Sequence, residues 1–249
     1  MEELPIGIVV ASLGFGLGII FGATAQRTNF CTMGALSDIV FMGNWDRFRA
    51  WLLAIAVAIL CSQMLHLTET VDLNKAIYLT TNLGWGGAVL GGLLFGFGMT
   101  MDSGCGNKTL VRLGAGNMKS LVVFMFMGIF AYMTLRGFIG PARVELEGAT
   151  VIDLKASGYS SQGMPELFAS IIGVSENAMR WVLSIGVAGG LVIFCFKDKE
   201  FRSQPLHIAA GVIIGFLVPA AWYLTGVIVN DDFDPTPLAS FSFIAPTGD

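Results

Sequence analysis

The sequence predicts an all-α integral membrane protein with about six transmembrane helices and two cysteine-bearing broken or re-entrant loops in an internal repeat. Composition and span length carry the class. The 249 residues are 54% hydrophobic and 13% charged, with mean hydropathy +0.72, against about 25% charged residues in an ordinary soluble domain. Several apolar stretches are long enough to cross roughly 30 Å of hydrocarbon as helices. A third observation carries the repeat. Phe21-Gly22 is followed nine residues later by Cys31, and Phe95-Gly96 nine residues later by Cys105. Displacing the chain by 74 also superposes Gly18 on Gly92 and Leu36 on Leu110, and with a slip of one residue Gly43-Asn44 falls on Gly116-Asn117. In membrane proteins, a duplicated interruption of this kind is where a path through the bilayer is built.

The spans are expected near 6–24, 50–67, 84–101, 120–136, 180–196 and 208–229. Met1–Pro5 lacks the positive region of a cleavable signal, so the first apolar segment is expected to remain as a span. The positive-inside rule orients them. With the N-terminus outside, segments 25–49, 102–119 and 197–207 are cytoplasmic and hold nine of the 14 basic residues. Five of the 18 acidic residues lie inside and the other 13 outside. The slight negative balance offers no basic surface for nucleic acid.

Two connecting segments are too apolar for solvated loops: 25–44, AQRTNFCTMGALSDIVFMGN, and 102–117, DSGCGNKTLVRLGAGN. Each fits a break in the backbone followed by a short helix that returns into the protein, because irregular backbone at membrane depth is tolerated only when buried or lining a cavity. The chain is therefore read as one membrane domain over 1–249. It comprises repeat unit A over 6–67, repeat unit B over 84–136, an outer loop over 137–178, a C-terminal hairpin over 180–229 and a polar tail over 230–249. The two repeats run in parallel, since both first spans pass from outside to inside. Within the outer loop, Phe168, Ile171 and Ile172 in LFASIIG mark a short amphipathic helix. The glycines of the first spans (Gly14, Gly16, Gly18 and Gly22, then Gly86, Gly87, Gly91, Gly92, Gly96 and Gly98) are expected to pack helices closely and draw the two broken loops to one axis.

The four cysteines form no C-x-x-C pair, and the only histidines are His66 and His207. No metal site and no cofactor are expected. Cys61 and Cys195 sit in apolar runs and read as small buried hydrophobes. Cys31 and Cys105 lie on breaks and recur at one spacing, which favours a functional reading over small-residue packing; a disulfide between them stays open at this point. A helix starting near Gly106 would aim free N–H groups back at the Cys105 loop, a ready anion site. Gly104 and Gly106 flank the thiol, Asn107 and Thr109 add neutral donors, and Lys108 adds a positive charge. Around Cys31, residues Thr28, Asn29 and Thr32 supply similar donors, with Arg27 close by. For Lys108 and Arg27 an ordinary flanking charge is the competing reading. A polar anion suits these loops better than a cation does.

With these motifs in hand, the chain resembles the YeeE/YedE family of sulfur-transport membrane proteins. The resemblance rests on GFGLGIIFGATAQRTNFCTMGALSDIVFMGNWDRFRAW and GGLLFGFGMTMDSGCGNKTLVRLGAGNMKSLV, and more weakly on NDDFDPTPLASFSFIAPTGD. It implies a permease for thiosulfate or a related small sulfur-containing anion, in a prokaryotic inner membrane. Cys31 and Cys105 would then face a central path and pass the anion inward through weak S–H···S contacts without a stable adduct. A neutral, polarizable thiol suits a soft terminal sulfur and does not repel a dianion. The resemblance further implies a cytosolic sulfurtransferase partner, and another membrane unit with a third cysteine beyond Asp249, within a longer protein or on another chain. Two other classes remain: a membrane thiol-redox protein cycling a Cys31/Cys105 pair, and a non-transporting subunit that needs a partner chain. Hydrolytic enzyme function is not expected, because neither histidine sits in a nucleophile–base arrangement.

Overall fold

The computed structural model describes residues 6–156, 161–229 and 238–243. Met1–Pro5 and most of the expected polar tail over 230–249 lie outside the described residues. In chain order, α1 is Ile6–Thr28, α2 Thr32–Met42 and α3 Asp46–Leu67, followed by a 3-10 turn Leu73–Lys75 and the short strand β1 Asn82–Gly84. Next come α4 Trp85–Asp102, α5 Gly106–Gly114, α6 Met118–Leu135, α7 Gly140–Thr150 and strand β2 Val151–Asp153. The chain closes with α8 Met164–Ile172, α9 Glu176–Phe196, α10 Lys199–Arg202 and α11 Pro205–Tyr223, which widens into a π turn over Leu224–Ile228.

Among the described residues, six helical stretches are long and apolar enough to cross a membrane. The expected spans coincide with α1, α3, α4, α6, α9 and α11, with some ends displaced by a few residues. Helices are the natural outcome here, because inside hydrocarbon each backbone N–H and C=O must find its partner within the segment. The interruptions after Thr28 and Asp102 divide two of the stretches into a long and a short helix. The amphipathic helix expected in LFASIIG is α8. Two features escaped the sequence reading: α7, whose polar composition resembles a loop, and the antiparallel pairing of β1 with β2.

α3 is the central helix, packed along α11 and α9. Its contact with α11 depends on two glycines one turn apart. A Cβ on Gly211 would come within 2.8 Å of the Ala50 carbonyl oxygen, and one on Gly215 within 2.8 Å of the Ala54 carbonyl oxygen. Small residues at i and i+4 let the backbones approach this closely. The glycines of the first spans behave differently from expectation. Eight of the ten have nothing within 4 Å of a built Cβ, and only Gly86 and Gly87 are close to neighbours, Thr150 and Glu147 of α7. The broken loops do meet, but they meet through the short helices, with α1 packing against α5; the glycine faces of α1 and α4 stay open.

A buried ion pair fastens the loop bearing α8. Arg180 of α9 and Glu166 of α8 are 3% and 6% exposed and bonded to each other, and Asn74 Oδ1 accepts from Arg180 at 3.3 Å. Residues 238–243, expected to belong to a polar tail, instead fold back into the bundle. Leu238 bridges Ala76, Thr225 Oγ1 donates to the Ala239 carbonyl at 2.9 Å, and Ser240 Oγ to the Val218 carbonyl at 3.2 Å.

Replacing Gly211 by Ala is predicted to lower stability by about 1–3 kcal/mol, the usual range for overpacking. Gly18→Ala, on an open face, is predicted to be neutral or slightly stabilising, since alanine favours helix by about 1 kcal/mol. Thermal unfolding of the detergent-solubilised variants checks the contrast.

Candidate functional site

The two breaks share one local construction. Asn29 (φ +51) and Ser103 (φ +56) each take a left-handed conformation two residues before the cysteine, ending α1 and α4. That conformation is costly for residues other than glycine, least so for asparagine. Cys31 and Cys105 follow in extended conformation as the N-cap residues of α2 and α5, and neither side chain caps its helix. The Cys31 carbonyl accepts from Ala35 N at 2.9 Å, and the Cys105 carbonyl from Thr109 N at 3.0 Å. Each short helix then ends near a left-handed glycine, Gly43 (φ +63) or Gly116 (φ +87). The asparagine after each accepts from the start of the next helix: Asn44 Oδ1 from Asp46 N at 2.8 Å, Asn117 Oδ1 from Lys119 N at 3.0 Å.

The construction brings the two thiols together. Cys31 Sγ and Cys105 Sγ are 3.8 Å apart, both side chains are buried at 5% and 9% exposure, and all four cysteines are free. Cys105 Sγ donates to Asn107 Oδ1 at 2.9 Å, which leaves Cys31 as the donor across the pair. The thiol protons thus point in one direction, from Cys31 to Cys105 to Asn107. A ligand sulfur accepting from Cys105 must take the place of the Asn107 oxygen.

Charged groups span the two loops. Lys108 Nζ donates to Asn29 Oδ1 at 2.9 Å, tying α5 to the first break. Arg47, at the start of α3, donates through Nη1 to the Asn29 carbonyl at 3.4 Å and through Nη2 to the Gly34 carbonyl at 3.1 Å, and pairs with Asp38 through Nε. Gly34 makes room for it, since a Cβ there would lie 2.8 Å from Arg47 Nη1. Arg47 escaped the sequence reading because it resembled any other basic residue flanking a span. Its spacing from Asp38, nine residues across a helix break, carries no recognisable signal.

The remaining expected site residues fall as follows. Thr28 is buried, but its hydroxyl donates back to the Thr24 carbonyl at 2.8 Å, so it is occupied within α1. Gly104 N donates to the Met99 carbonyl at 3.1 Å, closing the α4 terminus, and a Cβ on Gly104 would touch Lys108 at 3.4 Å. Gly106 opens α5 and, with Asn107 and Cys105, lines a cavity of about 440 Å3. Thr109 donates to Asp102 Oδ2 at 3.0 Å and to the Cys105 carbonyl at 3.3 Å. Arg27 is exposed on α1. Cys195, by contrast, is fully buried among Ala50, Leu53 and Phe201, with its thiol on the Arg49 carbonyl at 3.3 Å. No group of three or more metal-ligating side chains occurs among the described residues.

Chemically, the site offers two thiols and the N-termini of two short helices whose first-turn N–H groups lack a side-chain cap. Such termini attract negative charge. Arg47→Gln is predicted to slow disulfide formation between Cys31 and Cys105 under a mild oxidant about ten-fold, because small misplacement of reacting atoms has effects of that order or more. Peptide mapping by mass spectrometry over a time course checks this.

Comparison with known proteins places the chain in a family. A family model described as sulphur transport matches residues 27–248. The thiosulfate transporter TsuA of Spirochaeta thermophila is 23% identical over 194 residues, covering 75% of this chain and 54% of that protein. The thiosulfate transporter TsuA of Escherichia coli K12 is 30% identical over 122 residues, covering 49% of this chain and 32% of that protein. The chain therefore spans about half the length, or less, of these relatives. From residue 27 onward it carries the features of one family, and it belongs to the sulphur-transport (YeeE/YedE) family of membrane proteins.

Proposed function

We propose that this chain carries thiosulfate, or a small anion with a similar terminal sulfur, inward across the membrane along the Cys31–Cys105 pair. The observation that carries the reading is the meeting of two buried thiols, 3.8 Å apart, at uncapped N-termini of two short helices. The names of the relatives supply the anion, and the site has chemistry to suit it. The oxygen-bearing end of thiosulfate is satisfied by helix N-terminal N–H groups and by Lys108. The terminal sulfur is a soft acceptor for a thiol proton, and a neutral thiol neither repels the dianion nor forms a lasting bond to it. Cys105 surrenders its bond to Asn107 when the ligand arrives and regains it on release, so each contact is exchanged and nothing is consumed. Gly104, Gly106 and Asn29 set the shape of the breaks.

The inward direction rests on the family resemblance, and the charge distribution supports an outside N-terminus, with the cysteine breaks at the inner end of α1 and α4. An inner-membrane location and a cytosolic sulfurtransferase that takes the cargo belong to the same reading and rest on the family resemblance. The pair separation also supports a second reading, a thiol-redox protein, because a disulfide needs the sulfurs only about 1.8 Å closer than they are.

Labelled thiosulfate uptake into proteoliposomes holding the purified chain tests the proposal. Cys105→Ala is predicted to reduce uptake about ten-fold or more, the loss of one hydrogen bond to a charged group, and Cys31→Ser to reduce it as well, because a hydroxyl keeps a donor but loses the soft sulfur contact, both with unchanged insertion. Wild-type rates in both variants would exclude the cysteine route. Thiol counting during turnover separates the redox reading: a reversible pair whose removal leaves uptake intact would favour it.

A further inference from the structure

The folded-back segment 238–243 stands between two cavities. One, of about 730 Å3, is lined by Val10, Leu17, Ile77, Tyr78 and Thr225, towards the N-terminal half of α1 and the loop after α3. The other, of about 440 Å3, is lined by Thr32, Trp51, Phe95, Met99 and Cys105. Phe241 and Ser242 line both, and Phe243 lines the second. Phe241 and Phe243 also close on Phe21 of α1. Ring centroids are 5.7 Å apart for Phe21–Phe241, 5.2 Å for Phe21–Phe243 and 6.3 Å for Phe241–Phe243. Phe21 itself is buried within the core that includes Ala25, Phe30 and Leu217.

We propose that Phe241 and Phe243, closed on Phe21, form the selectivity barrier between the far cavity and the Cys105 cavity, passing anions with a soft terminal sulfur and holding back oxygen-only anions such as sulfate. The inference deepens the transport reading and rests on it. Three rings in mutual contact put apolar surface on the direct way between the two cavities, so an anion crossing there sheds part of its hydration as the rings move apart, the way hydrophobic constrictions gate other pores. Sulfate presents strongly hydrated oxygen at every corner. Thiosulfate presents one weakly hydrated, polarizable sulfur that can lead, meeting ring carbon and then the Met99 sulfur before the Cys105 thiol. Ser242, exposed between the two rings, places a hydroxyl beside the trailing oxygens. The segment is held on the N-terminal side of the rings, by Thr225 Oγ1 donating to the Ala239 carbonyl and Ser240 Oγ donating to the Val218 carbonyl, so the anchor lies apart from the rings themselves.

The experiment reads a ratio, which general destabilisation does not move. Proteoliposomes of the intact chain are assayed for initial entry of labelled thiosulfate and labelled sulfate, for wild type, Phe241→Ala, Phe243→Ala and the volume-keeping Phe241→Leu and Phe243→Leu. The expected result is a thiosulfate-to-sulfate ratio that falls about ten-fold in the alanine variants, a typical size for reshaping an apolar selectivity contact, through faster sulfate entry, with leucine variants close to wild type. If the alanine variants do not fold, the smaller truncations Phe241→Val and Phe243→Val replace them, and no rise in sulfate entry in either overturns the barrier. An unchanged ratio in alanine variants that still carry thiosulfate overturns the barrier and leaves the transport reading standing. No thiosulfate entry in wild type overturns the transport reading and the barrier with it.

Discussion

Two helices are broken side by side, and the backbone groups released there need partners outside their own helices. That constraint shapes the whole region around the cysteines. The carbonyl groups of Asn29 and Gly34 turn to the Arg47 guanidinium. Thr109 takes the Cys105 carbonyl and the Asp102 carboxylate through one hydroxyl. An exposed break of this kind would be untenable in hydrocarbon, so the protein wraps it with side chains from the neighbouring helices. The same wrapping brings the two breaks within contact of one another.

Arg47 illustrates how the arrangement is kept. It belongs to α3, the most heavily packed helix, and reaches the first break, the first turn of α2 and Asp38 together. Lys108 then links the first break to the second through the Asn29 side chain. The rigid core formed by α3 with α9 and α11 is thereby connected to a pair of thiols carried by loops. The proposed site sits on irregular backbone, and its geometry is held by the regular part of the fold.

Much of this was legible in the sequence. The six spans follow from hydropathy, because length and apolarity are what a bilayer demands. The two breaks follow from the repeat, and their loops do meet, though not through the glycine packing expected to draw them together. Less visible was what depends on contacts between distant residues. The open glycine faces of α1 and α4 look identical in sequence to the Gly211 and Gly215 contact, since only a neighbour distinguishes them. Asn29 and Ser103 take left-handed backbone, which neither residue type announces in a sequence. Leu238–Phe243 read as part of a polar tail because Asp231, Asp232 and Asp234 precede it, although the ASFSF stretch is itself amphipathic and folds inward.

The central claim is that the cysteines act as neutral thiols that lend a proton to a passing sulfur. The S–H stretching band reports this directly, observed by infrared difference spectroscopy on protein in which Cys61 and Cys195 are replaced by alanine. Addition of thiosulfate should shift the band to lower frequency and leave its intensity present, with full reversal on washing. Loss of the band on addition, by ionisation or by formation of a bond to sulfur, would contradict the account.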